Sequence, residues 1–369
     1  MVLSSYFSDF LARIRLQQNH IDDCKCGHQT LRERLAKDAD LSPIIVSDFL
    51  QGSYRRATAI KPKNGKRADV DIIVVTKLSQ EEYPDPDDAM DIFEPFLKKH
   101  YEGKYRRQGR SFGIELSYVD LDLVITSAPS EAEIDAFKSE AVKASDTPDD
   151  TNDWRLVESW VSSQNRNKWN AEKLLVLAKS QAEWQLSPLY IPDRDTASWE
   201  PTHPLEQIRK TWEKNKMCNR HYVNVVKALK WWRRVKCSDT KYPKGYPVEH
   251  LIWRCCPDGI ASVDEGVTLT LEHIAADYKV FADHGVPAHN VFARLSGEDF
   301  AVFHGQICEA AKIAREALDS ESKLGSVKAW QTLFGKEFPD PPSDEDDNTS
   351  RSGYSERTKP TVVTNGWFA

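Results

Sequence analysis

The chain has 369 residues, of which 40% are hydrophobic and 29% are charged, a balance typical of globular proteins. This length allows one large core or two connected lobes, and no apolar run approaches the length of a membrane-spanning helix. The formal net charge of -7 argues against a protein that wraps duplex DNA, because such proteins present a strongly basic surface.

The N-terminal sequence and the cysteines indicate in which cellular compartment the protein is expected. The opening sequence MVLSSYFSDFLARIR mixes acidic and basic residues and has no apolar signal-peptide core. The seven cysteines are odd in number and mostly scattered, so they do not form a disulfide framework. Cys24, Cys26 and His28 lack a second ligand pair at zinc-finger spacing, so we do not expect zinc there. We expect a cytoplasmic protein.

Residues 5–38 are predicted to form two helices with a polar break at Asp22-Asp23, because apolar residues recur at helical spacing on either side. A β-strand is predicted to follow, from Ile44 to Leu50. Gln51-Gly52-Ser53 comes directly after this strand. A glycine allows the backbone to approach a ligand closely, and amides at a strand-to-helix turn suit phosphate oxygens.

A second predicted strand carries two aspartates at its entrance. Ile72 to Val75 form a β-branched run, and Asp69 and Asp71 precede it two residues apart. Side chains alternate along a strand, so both carboxylates lie on the same side of the backbone. Two like charges at this spacing repel unless a cation lies between them, and Mg²⁺ prefers oxygen ligands. The pattern therefore predicts a metal site.

The segment FGIELSYVDLDLVIT, residues 112–126, offers a third carboxylate. Its bulky apolar residues occupy even positions up to Tyr118 and odd positions from Val119, which predicts a bulge or tight turn between the two. After that turn, Asp120 and Asp122 point together away from the core. From the alternation alone, either aspartate can face the pair on the preceding strand.

The remaining elements are mostly helical. One helix with a kink at Pro95 is predicted over residues 87–101, and one helical pattern runs from 202 to about 236. Residues 127–200 are rich in tryptophan and are predicted to form short helices and loops, with the stretch from Pro188 to Pro201 crossing between two lobes. Residues 307–318 again show helical spacing. The proline-rich, acidic residues 339–369 are typical of a disordered tail.

The ordered motifs resemble those of a known family. Gly52-Ser53, Asp69-Val70-Asp71 and Asp122 before an apolar strand resemble the polymerase-beta-type nucleotidyltransferase signature. Together with KALKWWRR and KGYPVEHL, the sequence is similar to the bacterial cGAS/DncV-like nucleotidyltransferases, the CD-NTases of CBASS antiphage signalling, and most similar to their clade D. The interval between Ser53 and Asp69 is longer than is usual, and Asn64-Gly65 provides a turn for the extra length.

This resemblance implies an α+β fold: a polymerase-beta-like core with a mixed twisted sheet and helices, followed by a helical lobe. The implied domains are a nucleotidyltransferase core at residues 1–200 with its N-terminal spine helices, a helical lobe at 201–338, and the tail at 339–369. The implied reaction joins ribonucleoside triphosphates, ATP among them, into a cyclic di- or trinucleotide second messenger with release of pyrophosphate.

The resemblance also assigns roles to residues. Asp69, Asp71 and Asp122 would hold two Mg²⁺ ions, which Mn²⁺ can replace, and would carry the catalysis. Gln51, Gly52 and Ser53 would hold the donor nucleotide, and Lys230 would reach its triphosphate from the helical lobe. The residues themselves add weaker candidates: Asp120 as the alternative third carboxylate, Arg56 among the basic residues near the site, Lys227 three residues before Lys230, and Tyr246, which lies where family members often supply a Ser or Thr to the phosphates.

The expected partners are nucleotides and regulators, with no DNA activator and no membrane. In the family's operons a ubiquitin-activating-like enzyme can conjugate the C-terminus of the nucleotidyltransferase to a target. The apolar end Gly366-Trp367-Phe368-Ala369 suits such capture, and other CBASS regulatory proteins are further candidates.

Two alternatives on the same fold stay open at the level of the sequence: an enzyme that makes linear oligonucleotides, and a catalytically silent nucleotide-binding regulator. An enzyme that modifies a protein or an antibiotic fits less well, because the KWW helix matches the cyclases better.

Overall fold

The computed structural model describes residues 2–63, 65–128, 188–237, 243–276 and 282–341. The fold within these ranges is α+β, as expected, with one mixed sheet in the first half of the chain and mainly helices in the second. No helix in the described ranges has the length and apolar content needed to cross a bilayer.

The first half supplies the sheet. Its elements, in chain order, are α1 (Ser4–Ile14), α2 (Gln18–Lys37), β1 (Ile45–Gln51), α3 (Gly52–Arg55), β2 (Ala68–Thr76), α4 (Pro86–Asp91), α5 (Glu94–Tyr101), β3 (Tyr105–Arg107), β4 (Phe112–Glu115) and β5 (Val119–Thr126). The five strands form one sheet in the order β1-β2-β5-β4-β3. Only β2 and β5 pair in parallel within this sheet, so the sheet is mixed and its parallel pair lies inside it.

The apolar run of β2 explains its position in the sheet. Val70 and the residues from Ile72 to Val75 are buried, while Asp69 stays exposed and Asp71 is half-buried at the strand entrance. A strand flanked by two others is covered on both faces, which favours β-branched residues. The predicted change of phase at Tyr118-Val119 is confirmed as a tight turn between β4 and β5, in which the Leu116 amide donates to the Val119 carbonyl at 3.0 Å.

The second half begins with a hairpin and continues as helices. Its elements are β6 (Leu189–Asp193), β7 (Ser198–Thr202), α6 (Pro204–Met217), α7 (Tyr222–Lys236), α8 (Gly245–Cys255), α9 (Val263–Ala276), β8 (Ala282–Asp283), β9 (Val286–Asn290), α10 (Gly297–Asp319), α11 (Lys323–Phe334) and a 3₁₀ turn (Gly335–Glu337). Strands β6 and β7 pair with each other, as do β8 and β9.

Two large apolar cores divide the molecule. One lies around the sheet and α2, and the other lies among helices α7 to α11. Helix α1 joins the second core: Phe7 and Phe10 pack on Trp330, Phe334 and Phe338, with the Phe10 and Phe334 rings 4.4 Å apart. The N-terminal helix thus contacts the C-terminal helices, and the domain division at residue 200 stays a prediction.

Two predicted helix boundaries were wrong. The break between α1 and α2 lies at 15–17 and not at Asp22-Asp23, because Arg15 is extended and bridges to Ile60, while Asp22 accepts a hydrogen bond from Gln18 within α2. The pattern from 202 to 236 is two helices. Asn219 and Arg220 adopt positive φ between them, and the Val223 amide bonds to the Asn215 side chain at 3.1 Å. Asparagine tolerates this left-handed conformation better than most residues.

Two further predictions need adjustment. The helix over 87–101 is divided into α4 and α5, with Pro95 in the first turn of α5, where proline is tolerated. The stretch from Pro188 to Pro201, predicted to cross between the lobes within a region of short helices and loops, contains the β6–β7 hairpin. The tryptophans predicted to anchor short helices and loops at 154, 160, 169 and 184 lie outside the described residues, as does the tail beyond 341.

Candidate active site

The parallel pairing of β2 with β5 brings the aspartates together. In its register Asp71 lies opposite Asp122, and Asp69 lies opposite Asp120. Asp69, Asp71 and Asp122 each offer an oxygen within 4.8 Å of the others. Because both strands are pinned by a continuous backbone ladder, the separation of these carboxylates is set by the sheet and not by a loop.

Crowding changes the acidity of these groups. Burial and then the charges of Asp71 and Asp122 raise the pKa of Asp69 to about 8. Asp69 keeps access to solvent at the strand entrance. Burial and the charge of Asp122 raise the pKa of Asp71 to about 7, and burial also raises the pKa of Asp122. Three carboxylates this close favour either bound protons or a bound cation.

The donor set fits a hard divalent cation. All three groups offer carboxylate oxygens, which are the ligands of Mg²⁺ and Mn²⁺, and none offers sulfur. A metal charge there would relieve the repulsion that raises the three pKa values.

Asp120 is turned to a different partner. Its carboxylate accepts a hydrogen bond from Arg67 at 2.7 Å, and Arg67 also pairs with Glu115 at 3.5 Å. Among the described residues, the group able to hold a metal contains Asp122 and does not contain Asp120.

The Gly-Ser turn lies against the carboxylates. Gln51 ends β1 opposite Asp71, and Gly52 follows at φ 73° as the first residue of the short helix α3. A Cβ at Gly52 would lie 1.7 Å from Asp71 Oδ2, so only glycine fits there. The Ser53 carbonyl accepts from the Thr58 amide at 2.9 Å, which closes the turn. The predicted nucleotide loop and the predicted metal site are therefore adjacent.

A buried ion network connects this turn to the helices. Glu249, on α8, accepts from Lys230 at 2.7 Å, from the Thr58 hydroxyl at 2.8 Å and from Arg56 at 3.2 Å. Lys230 Nζ also donates to the Thr58 carbonyl at 3.0 Å. Opposing charges lower the pKa of Glu249, although burial, the largest single influence, acts in the opposite direction. Lys230 and Arg56 in turn favour the charged form of Asp71.

Sequence reasoning missed Glu249 and Thr58. Glu249 lies within KGYPVEHL, one of the segments that carried the resemblance, and Thr58 lies five residues beyond Ser53. A charged residue among the apolar residues of a predicted helix, such as Glu249 before Leu251, is the signal that marks a buried ion pair.

The two weaker candidates on the helices, Tyr246 on α8 and Lys227 on α7, lie close to this network. Tyr246 donates its hydroxyl to Asp283, and the Arg56 guanidinium lies 5.4 Å from the centre of its ring. Burial and the Asp283 charge raise the pKa of Tyr246 above its usual range. Lys227 is buried within α7, one turn from Lys230. The structure thus joins Arg56 and Tyr246 to the Glu249 network.

Comparisons with known proteins show which family the chain is similar to. Residues 1–154 match the family described as the Second Messenger Oligonucleotide or Dinucleotide Synthetase domain, SMODS. A cyclic AMP-AMP-GMP synthase from Enterobacter hormaechei is 44% identical, over 98% of this chain and 97% of the relative. A cyclic AMP-AMP-AMP synthase from an Acinetobacter species is 26% identical over 92% and 86% of the two chains.

Solved structures support the fold. The E. coli CdnC structure with ATP superposes with a TM-score of 0.63 over 92% of this chain and 99% of that one, at 15% identity. Vibrio cholerae DncV with a linear intermediate superposes with a TM-score of 0.52 over 79% and 70%, at 14% identity. The expected polymerase-beta-like architecture is confirmed by these neighbours.

Nucleotidyltransferases of this kind bind divalent metals through acidic residues, in agreement with the aspartate trio on β2 and β5. With 44% identity along nearly the whole chain to a curated synthase, the chain belongs to the bacterial cGAS/DncV-like nucleotidyltransferases, the CD-NTases, a family of cyclic-oligonucleotide synthases.

Proposed function

We propose that this cyclic-oligonucleotide synthase joins ATP and GTP into a cyclic trinucleotide of the AMP-AMP-GMP type. The relative at 44% identity carries that product in its name, and this chain aligns with 97% of its length. The more distant relative is named for an AMP-AMP-AMP product, which also contains three nucleotides. Clade D membership is part of the same proposal.

The observation that carries the catalytic assignment is a cluster of three carboxylates, one of which lies against a glycine turn. Asp69, Asp71 and Asp122 lie within 4.8 Å of one another, and Gly52 leaves room beside Asp71 for backbone to approach. In our proposal the three aspartates hold two Mg²⁺ ions. Bound there, the ions would supply positive charge to the attacking hydroxyl and to the leaving pyrophosphate.

The protein's own groups would bind and orient the substrates. Gln51, Gly52 and Ser53 would hold the donor triphosphate beside the carboxylates. Lys230 would contact the triphosphate from α7. The Lys230 ammonium donates to the Thr58 carbonyl, and the Thr58 amide donates to the Ser53 carbonyl. Lys230 therefore lies next to the Gly-Ser turn. Arg56 adds a second charge to the network at Glu249.

Each transfer would form one bond and break one bond. The ribose hydroxyl oxygen of the acceptor bonds to the α-phosphorus of the donor, and the bond from that phosphorus to pyrophosphate breaks. The hydroxyl proton passes to a carboxylate, for which Asp122 is our candidate. Two further transfers, the last of them within one molecule, close the ring.

The wider role proposed is antiphage signalling within CBASS, in the cytoplasm. All seven cysteines are free thiols, as is usual in a reducing compartment. A regulator acting on the chain is part of the proposal: one solved relative, E. coli CdnC, is described in complex with a HORMA protein. Conjugation of Ala369 by a ubiquitin-activating-like enzyme is the second route, and it falls on residues outside the described ranges.

The test is product analysis with the four ribonucleoside triphosphates and Mg²⁺, with one nucleotide labelled at a time. After phosphatase treatment, a resistant product labelled by ATP and GTP in a two-to-one ratio is expected, and it should be absent with Asp69→Asn/Asp71→Asn. A phosphatase-sensitive product would indicate a linear-product enzyme. Nucleotide binding without turnover, with or without the regulator, would indicate a silent binder.

A further inference from the structure

A neutral side chain outside the carboxylate trio contacts one of its members. The Gln108 amide donates from Nε2 to Asp122 Oδ1 at 3.0 Å. Gln108 follows β3 and lies 14 residues before Asp122 in the chain. The bond engages Oδ1 of Asp122, and the Gln108 amide does not occupy the second carboxylate oxygen, Oδ2.

Gly113 makes room for this hydrogen bond. It lies opposite Asp122 in the β4–β5 ladder. A Cβ on Gly113 would lie 2.1 Å from Gln108 Nε2 and 3.1 Å from Gln108 Cδ, but 3.4 Å from Asp122 Oδ1. The φ of Gly113 is not positive, so the backbone does not require glycine. The missing side chain at 113 therefore leaves the space occupied by the Gln108 amide.

The turn that carries Gln108 is held from two sides. The backbone amide of Gln108 donates to the Ser111 carbonyl at 2.8 Å. The Arg194 amide in the β6–β7 hairpin donates to the Gly109 carbonyl at 2.9 Å. Arg110 pairs with the buried Asp193 at 2.7 Å. The side chain of Gln108 is thus presented from an anchored turn, which restricts where its amide can lie.

We propose that Gln108 is a positioning residue that orients the Asp122 carboxylate for metal binding, and that Gly113 is required because it leaves space for the Gln108 amide. This inference rests on the proposed role of Asp122 as a metal ligand. Three nearby carboxylates repel one another, and a neutral donor restrains one of them without adding a charge that competes with the metal. The ligand is then oriented before the metal arrives, which reduces the entropy lost on binding.

The test compares Gln108→Ala, Gly113→Ala and the double variant in the full-length protein. Metal binding is measured without nucleotide, by Mn²⁺ titration with electron paramagnetic resonance, and kcat and KM for ATP are measured separately. We expect both single variants to weaken Mn²⁺ binding and lower kcat by about 10- to 100-fold, the usual cost of removing a partner of a metal ligand. KM for ATP should change little.

The double variant separates positioning from general damage. Once Gln108→Ala has removed the amide, the methyl group introduced by Gly113→Ala has nothing to displace, so the double variant should bind Mn²⁺ as well as Gln108→Ala alone. Multiplied losses would overturn the role of Gly113. Gln80→Ala is the matched control, because Gln80 donates its amide to Ser127 at 2.9 Å, away from the trio. It should leave Mn²⁺ binding unchanged, and thermal melting should show that all variants are folded.

Asp122→Asn separates the proposed ligand role of Asp122 from the proposed positioning role of Gln108. If Asp122→Asn binds Mn²⁺ and turns over like the wild type, the proposed role of Asp122 fails. If Asp122→Asn loses both properties while Gln108→Ala retains them, the proposed function stands and the positioning role of Gln108 is wrong.

Discussion

Gly52 lies so close to Asp71 that a methyl group at position 52 would overlap the carboxylate, with Cβ 1.7 Å from Oδ2. Gly52 also has a φ of 73°, which side chains rarely adopt. Gly52→Ala must therefore displace either the turn or the carboxylate. Displacements of about 1 Å at a reacting centre cost roughly 100-fold, so we expect synthase activity to fall by at least that factor.

Gly305→Ala is the control for this substitution. Gly305 is exposed in α10, and nothing lies within 4 Å of a Cβ built there. We expect unchanged product formation and an increase of about 0.5–1 kcal/mol in the free energy of unfolding, because alanine favours a helix over glycine. Normal activity in purified Gly52→Ala would contradict the close packing of the turn on the carboxylate.

The acidity of the carboxylates predicts a pH dependence of stability. Burial and the neighbouring carboxylates raise the pKa of Asp69 to about 8 and that of Asp71 to about 7 in the folded chain, from an ordinary value of 3.8. Between these values the folded chain binds more protons than the unfolded chain, so its stability decreases as pH rises through this window. In EDTA, the melting temperature of wild type relative to Asp69→Asn/Asp71→Asn should fall from pH 5 to pH 8.

Metal should reverse this trend. Saturating Mg²⁺ replaces the protons at the carboxylates, so it should raise the melting temperature of the wild type more at pH 8 than at pH 5. The double asparagine variant should not respond. A wild type and a double variant with parallel pH profiles in EDTA would show that the two aspartates are not coupled as described.

Asp120 and Asp122 should differ in effect although they are neighbours in β5. Asp122 lies in the trio, whereas Asp120 accepts from Arg67 at 2.7 Å. Asp122→Asn removes a proposed metal ligand, so it should reduce product formation at least about 100-fold, the upper end of the usual cost of losing a partner of such a ligand. Asp120→Asn removes a half-exposed ion pair, which costs about 0.2–1 kcal/mol of stability, and it should retain activity within a few-fold. The reverse ranking in initial rates would assign the third ligand to Asp120.

Glu249 should be a determinant of stability. Its removal leaves Arg56 and Lys230 without the carboxylate they share, and both side chains are largely buried. Breaking such a buried pair costs about 3–5 kcal/mol, so Glu249→Ala should shift the urea midpoint strongly. Glu33→Ala is the control, because Glu33 and Lys37 are exposed and 3.8 Å apart, and it should cost less than about 0.5 kcal/mol. Equal midpoints for the two variants would contradict this account.

The positions of the carboxylates could be predicted because they depend on the sequence pattern within single strands. Asp69, Asp71 and the change of phase at Tyr118-Val119 follow from alternation along single strands, and the structure confirms the geometry. Alternation could not choose between Asp120 and Asp122, since the answer depends on Arg67 from another part of the chain. The resemblance to known motifs made that choice.

Contacts between segments that are distant in the chain could not be predicted from the sequence. The bond from Gln108 to Asp122 depends on how the turn after β3 is anchored, and the Glu249 network joins residues up to 193 positions apart. The break between α6 and α7 was missed because it contains neither glycine nor proline and relies on Asn219 and Arg220 at positive φ. Helical periodicity continues across such a turn with little visible change.

The parallel register of β2 and β5 also allows nucleotide selection to be redesigned separately from metal binding. The oxygens proposed for metal binding belong to hydrogen-bonded strands, whereas Lys230 and Tyr246 stand on helices that pack from the other core. Substitutions on α7 and α8 that retain Lys230 and Glu249 can therefore change which nucleotides are joined while the carboxylates keep their geometry. A change of one residue in the ladder register would instead reverse the direction of every side chain in β5 and remove the centre at once.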